Sequence, residues 1–200
     1  GLRFYNHRVL KMGAHLQRLE SSAKAIRLEL PMSLTAISKA ITELITHCAQ
    51  PEGYLRLVVT RGVGPLGIDP RQCEPGNVVI IADQLSMVSE AVRTQGADLI
   101  IASTRRLGPD QLDSRVKSLN YLNQILARIE ANDAAADEAV ILNQAGFVAE
   151  GTADNLFIVR SGRLLTPKIT DGALEGITRA IVMDLARSLG IDVIETSLTT

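Results

Sequence analysis

Two hundred residues with 46% hydrophobic side chains, 3% aromatic ones and no tryptophan supply an aliphatic core for one large domain or two small ones. The 21 basic and 22 acidic residues leave a net charge of −1 with no block of like charge, which points away from nucleic acid and from an anionic membrane. No apolar run reaches transmembrane length and no signal-peptide pattern opens the chain. Cys48 and Cys73 lack metal-ligand spacing and read as reduced thiols of a cytoplasmic protein, and His7, His15 and His47 are too scattered for a metal site.

Residues 1–10 read as a hairpin turning at Asn6-His7. A helical pattern follows over 13–28 (Leu16, Leu19, Ala23, Ile26) and stops at Pro31. Ser33 is placed to cap a second helix carrying Leu34, Ile37, Ile41, Leu44 and Ile45. Residues 54–61 are rich in β-branched side chains and predict a strand, with Tyr54, Arg56 and Val58 on one face and Leu55, Leu57 and Val59 on the other. Residues 77–82 form an almost continuous apolar run, expected as a strand buried on both faces. Mixed polarity over 83–96 suggests the connection between domains. Further strands are expected over 98–104, 138–143, 147–150, 156–160, 164–166 and 192–195, with turns at residues 144–146 and at Ser161-Gly162. A last helix over 176–189 should turn Ile177, Ile181, Leu185 and Leu189 to one face and end at Gly190.

Lys117 stands where a strand-like run gives way to a helical pattern. Leu119, Leu122, Ile125, Leu126 and Ile129 then recur at helical spacing, and Gly108-Pro109-Asp110 marks a loop upstream. A lysine at such a junction can reach into a cleft and act as a Schiff-base nucleophile; a solvated surface lysine is the plainer reading. Glu150 closes a short strand before a glycine, where a carboxylate can meet a cation or simply face solvent. In LEGITR, Gly176, Ile177 and Thr178 open the last helix, and free N–H groups with a hydroxyl there suit a phosphate, although glycine and threonine are also ordinary helix starters. Arg18, one turn after His15, could grip the same anion in a bidentate manner or sit on a helix surface. A lysine, a carboxylate and a helix-terminal phosphate site together match the needs of pyridoxal 5'-phosphate.

The segments HLQRL, YLRLVVTRG, KSLNYLN, AEGTADNLFIV and ALEGITR, in this order and separation, resemble those of the class IV aminotransferases, the pyridoxal-phosphate fold type IV enzymes, and most closely the branched-chain amino-acid aminotransferases. The resemblance implies a mixed α/β (α+β) chain of two domains: an N-terminal α/β sandwich over 1–85, a connection over 86–96, and a C-terminal pseudo-barrel of strands with flanking helices over 97–200. It implies Lys117 as the Schiff-base lysine and proton shuttle, and Glu150 as the partner of the pyridine nitrogen. Tyr121 would bond the ring hydroxyl and Leu174 would pack on the ring. Arg18, Gly176, Ile177 and Thr178 would bind the phosphate, and Arg3, Tyr5, Tyr54 and Arg56 would line the substrate pocket. The implied activity is transamination between a branched-chain L-amino acid and 2-oxoglutarate by a cytoplasmic homodimer. D-amino-acid or R-amine transamination, aminodeoxychorismate lyase activity, and a scaffold without turnover are the alternatives. Measured against the family pattern, a strand segment before Gly1 and a threonine-glycine-threonine phosphate contact beyond Thr200 are missing, so both domains are expected to be incomplete.

Overall fold

Asn6 and His7 both take positive φ, 49° and 55°, the left-handed pair that lets a two-residue turn follow the twist of its strands. The turn joins β1 (Leu2–Tyr5) to β2 (Arg8–Val9). With β3 (Gly53–Val59) and β4 (Val78–Asp83) they form an antiparallel sheet in the order β2-β1-β3-β4. The computed structural model describes residues 1–84 and 90–200 and divides into two compact units, Gly1–Met87 and Val88–Thr200.

In the first unit, α1 (Met12–Ala25) and α2 (Leu34–Thr46) cover one face of this sheet. Ser33 caps α2 as its position predicts, its Oγ accepting the Ala36 N–H at 3.2 Å. Ile37, Ile41 and Ile45 recur at helical spacing and are fully buried against Leu2, Phe4, Leu16 and Leu55. The expectation that 77–82 is buried on both faces is corrected. β4 is an edge strand whose residues alternate, with Val79 and Ile81 exposed while Val78, Ile80 and Ala82 pack on the core. An apolar run by itself does not say how many of its faces are covered.

Within the expected connection over 83–96, Asp83 belongs to β4, residues 85–89 lie outside the described part, and α3 (Glu90–Gln95) occupies most of the remainder. The second unit holds two three-stranded sheets. In one, β5 (Leu99–Ile101) runs parallel to β6 (Glu138–Leu142), and β6 pairs antiparallel with β7 (Val148–Gly151). In the other, β8 (Ile158–Arg160) and β9 (Arg163–Pro167) make a hairpin, and β9 runs parallel to β10 (Val193–Thr196). Each parallel pair needs a crossover, supplied by α4 (Leu122–Asp133) and α5 (Ile177–Ser188).

Both crossover helices bury a different face from the one their large apolar residues suggest. On α4, Ala127 and Ala131 are fully buried beside Ala102, Ala139 and Ile141, while Leu122 stays 63% exposed and Ile125, Leu126 and Ile129 are exposed as well. On α5, Arg179, Met183 and Ala186 point inward, and Leu185 and Leu189 do not. Polar bonds set these rotations. Arg128 of α4 pairs with Glu138 at 3.5 Å and donates to the Asp137 carbonyl. Arg179 of α5 donates to the Pro167 carbonyl at 2.8 Å and to Thr166 Oγ1 at 3.2 Å, and pairs with Glu195 at 2.8 Å.

Glu130 locks α4 to the segment that leaves β5. Its carboxylate accepts the N–H and hydroxyl of Ser103 at 2.5 and 2.8 Å, and those of Thr104 at 2.9 and 2.5 Å. The Thr104 hydroxyl and then the two backbone N–H groups hold its carboxyl down to about 2. A depressed carboxyl stabilises the fold above its ordinary value of 4.5, and that contribution fades as pH falls toward about 2. Glu130 is half-exposed, which limits the effect to about 1 kcal/mol. The gap in melting temperature between wild type and Glu130→Gln should therefore be wider at pH 7 than at pH 3; a gap of equal size at both pH values would contradict this clamp.

Candidate active site

In an α/β crossover the loop leaving the carboxyl end of a strand and entering the helix is open to a ligand, because the strand's side chains no longer fill that space. The second unit has two such loops. One runs from β5 through Lys117 into α4, and the other from β9 through Leu174 into α5. The strand-to-helix junction expected at Lys117 is corrected in detail. β5 ends at Ile101 and the helix opens at Leu122, so Lys117 lies deep in a connecting loop, half-buried.

Glu150 anchors the site. It stands in β7 opposite Ile141, and its side chain is only 7% exposed. One oxygen, Oε1, accepts the Arg106 guanidinium at 2.9 Å. The other, Oε2, accepts the Leu174 N–H at 2.7 Å, with the Asn155 amide farther off at 3.5 Å. Burial pushes the Glu150 carboxyl above its ordinary value. The Arg106 charge, the Leu174 N–H and the Lys117 charge pull it back, and the Asp154 charge adds to the rise. A carboxylate can accept about four hydrogen bonds, so Glu150 keeps acceptor capacity for a further donor.

Arg106 carries no motif and was invisible in the sequence. Its backbone N–H donates to the Leu142 carbonyl at the end of β6 at 2.9 Å, and its Nε donates to the Gly172 carbonyl at 2.9 Å. Gly172 takes φ 105°, and a Cβ there would stand 2.9 Å from Arg106 Cγ, so this position requires glycine for both backbone and space. Asn155, also missed, donates to the Leu174 carbonyl at 2.9 Å. A Cβ on Gly176 would lie 1.9 Å from Asn155 Oδ1, so glycine there permits the contact. No local pattern marks these partners; only their meeting in the fold reveals them.

Lys117 Nζ lies 5.9 Å from the centroid of the Tyr121 ring, and Tyr121 is the residue that opens α4. Gly176 stands at the N-cap of α5 with no side chain capping the helix and no acid in its first turn. The first-turn N–H groups at Ile177 and Thr178 therefore face no intrahelical acceptor, and the dipole there favours an anion. Arg179, whose place in LEGITR carried no expected role, fixes this end of the helix through its bonds to β9 and to Glu195 of β10. The second unit thus gathers Lys117, Tyr121, Glu150, Leu174, Gly176, Ile177 and Thr178 on its two crossover loops and on β7.

The remaining candidates belong to the first unit. Arg3 is the register partner of Tyr54, and the period of two then puts Arg3, Tyr5, Tyr54 and Arg56 on the sheet face opposite Leu2, Phe4, Leu55 and Leu57. The Arg3 guanidinium lies 5.5 Å from the Tyr5 ring centroid. Arg18 is half-buried on α1. A recess of about 290 Å³ in this unit is lined by Phe4, Cys48, Gln50, Glu52, Ala82, Asp83 and Gln84 and includes none of the candidate residues. Among the described residues no group of His, Cys, Asp and Glu could hold a metal, and no helix is long and apolar enough to cross a membrane.

Known proteins match this arrangement along the whole chain. The family described as Amino-transferase class IV matches residues 1–200. A Methanocaldococcus jannaschii protein, named provisionally as a branched-chain-amino-acid aminotransferase, is 43% identical over 199 residues, which is all of this chain and 68% of the relative. The crystal structure of the Escherichia coli branched-chain amino acid aminotransferase superposes with a TM-score of 0.94 at 31% identity, over 99% of this chain and 67% of that one. The branched-chain amino acid aminotransferase from Thermobaculum terrenum, in its PLP-bound holo-form, gives 0.87 at 30% identity, over 100% of this chain and 67% of that one. The chain thus spans about two thirds of the length of these relatives. Its mixed α/β architecture is that of fold type IV, and the chain belongs to the class IV aminotransferases.

Proposed function

We propose that the full-length protein transfers the amino group between a branched-chain L-amino acid and 2-oxoglutarate, using pyridoxal 5'-phosphate. The observation that carries this reading is Glu150, a buried carboxylate with acceptor capacity to spare, held in the same unit as Lys117 and Tyr121. The residues present fit the cofactor. Glu150 would accept from a protonated ring nitrogen, Tyr121 would bond the ring hydroxyl, and Leu174 would pack on the ring. The uncapped start of α5 at Gly176, Ile177 and Thr178 would take the phosphate.

When bound, the cofactor supplies an aldehyde that links to amines and a ring that withdraws electrons. The chain supplies the rest. Lys117 Nζ would be the nucleophile toward that aldehyde. The same amine, once free, would hold and move the substrate Cα proton, acting as base and then as acid. Ionised Glu150 would leave the proton on the ring nitrogen. Arg3, Tyr5, Tyr54 and Arg56 are assigned to the substrate, with the Tyr-x-Arg pair of β3 favouring branched-chain donors. The relatives' names support the same substrate class. A cytoplasmic homodimer is the assembly proposed.

Lys117→Ala in the full-length protein should lower turnover by at least 10²–10⁴-fold, roughly the contribution of one acid–base group. Borohydride reduction of the loaded wild type should leave a covalent adduct on Lys117, read by mass spectrometry. Persistent turnover in Lys117→Ala, or no adduct in the wild type, would overturn the assignment. Substrate class is settled by assaying L-leucine, D-alanine and aminodeoxychorismate side by side. L-leucine with 2-oxoglutarate should lead; a preference for D-alanine or for the chorismate derivative would move the protein to another branch of the family.

A further inference from the structure

We propose that Arg106 is a positioning residue for Glu150: its guanidinium holds the carboxylate in one orientation and in its ionised form, and ties it to the loop that enters α5. This rests on the cofactor reading above and goes beyond it, since no family motif assigns Arg106 a task. The geometry is that of a fork with two tines. One nitrogen takes Glu150 Oε1 at 2.9 Å, and Nε donates to the Gly172 carbonyl at 2.9 Å. Both side chains of the pair are more than nine-tenths buried, at 8% and 7% exposure. The root of Arg106 is pinned by its N–H to Leu142, by Glu130 on Ser103 and Thr104, and by Asn123 Nδ2 on the Arg105 carbonyl at 2.9 Å.

The charge matters because an ionised carboxylate only accepts, whereas a neutral carboxyl also donates. A buried glutamate without a cation takes up a proton. Glu150 would then hold the proton it is meant to leave on the ring nitrogen. The charged groups that bear on Glu150 are Arg106 and Lys117 from the β5–α4 loop and Asp154 from the turn after β7; Asp154 in turn feels Glu138 of β6 and Arg128 of α4. Arg106 touches the carboxylate directly, and its charge is the largest of the pulls that oppose burial. Its second tine makes the same residue set the distance between Glu150 and the Gly172–Leu174 turn, whose Leu174 N–H completes the grip at 2.7 Å. An arginine suits this role better than a lysine, because its planar fork serves both acceptors at once.

The test uses full-length wild type, Arg106→Gln, Arg106→Lys and Glu150→Gln, each checked for folding by circular dichroism. In cofactor-free protein the Glu150 carboxyl is titrated by infrared difference against Glu150→Gln. In Arg106→Gln the midpoint should rise by at least about one pH unit, a tenfold gain in proton affinity, and Arg106→Lys should restore part of the difference. Loaded Arg106→Gln should bind the cofactor at least about tenfold more weakly, and its visible absorbance should change with pH in a range where the wild type is flat. If Arg106→Gln does not fold, Arg106→Lys carries the test with a smaller shift in the same direction. An unchanged midpoint in the folded variants would overturn the positioning role. A wild type that forms no borohydride adduct on Lys117 would overturn the cofactor reading instead, and the carboxyl titration would still judge Arg106.

Discussion

The buried pair of Arg106 and Glu150 is the contact on which the second unit's chemistry depends. Moving two charges out of water costs several kcal/mol for each ion, and their attraction offsets this only when both are well placed and otherwise satisfied. Here both conditions hold. Arg106 is fixed at Glu150, at the Gly172 carbonyl and, through its backbone, at Leu142, and Glu150 has donors on each oxygen. The pair also joins parts far apart in sequence. It brings the segment after β5, the strand β7 and the loop before α5 to one point, so those long connections keep a single geometry. Removing Arg106 would drive Glu150 toward its neutral form, and removing Glu150 would leave the buried Arg106 charge uncompensated.

The two parallel pairs, β5 with β6 and β9 with β10, explain why the candidate residues sit on loops. A parallel connection must leave the carboxyl end of one strand and cross over through a helix, so α4 and α5 both begin on the side where strands end. Lys117 and Tyr121 precede one helix, and Leu174 and Gly176 precede the other. The inward faces differ. α4 packs Ala127 and Ala131 beside Ala102, Ala139 and Ile141, whereas α5 buries Arg179 and Met183 along with Ala186. The larger aliphatic side chains, Leu122, Ile125, Leu126 and Ile129 on α4 and Leu185 and Leu189 on α5, are left on the outer faces.

The fold is legible in the sequence where the signal is local. The Asn6-His7 and Ser161-Gly162 turns, the Ser33 cap, and the Gly190 stop all follow from backbone preferences of a few residues, and each is present in the structure. The isoleucine stripe of α2 was legible because its spacing and its burial coincide. Legibility fails where burial depends on a partner. The run over 77–82 contains the right residues for a strand covered on both sides, but α1 and α2 pack on only one face of its sheet, leaving Val79 and Ile81 exposed. The stripes on α4 and α5 have helical spacing, yet polar bonds from Glu130, Arg128 and Arg179 turn other faces inward. Hydrophobicity proposes a face; well-placed hydrogen bonds, with two alanines on α4, accompany the face that is buried.

By itself the sequence determined most strands and helices, the turns, the Ser33 cap, and the family through its motifs, and it put forward Lys117, Glu150 and the glycine-led start of α5 as candidates. The local features follow from side-chain chemistry and from backbone preferences that act within a few residues. Tertiary structure alone decided which strands pair in parallel, which helix faces are buried, and that Arg106 and Asn155 stand beside Glu150 and Leu174. The physical reason is that these depend on contacts between residues distant along the chain, where loop closure brings a charge out of water and its partner must already be waiting.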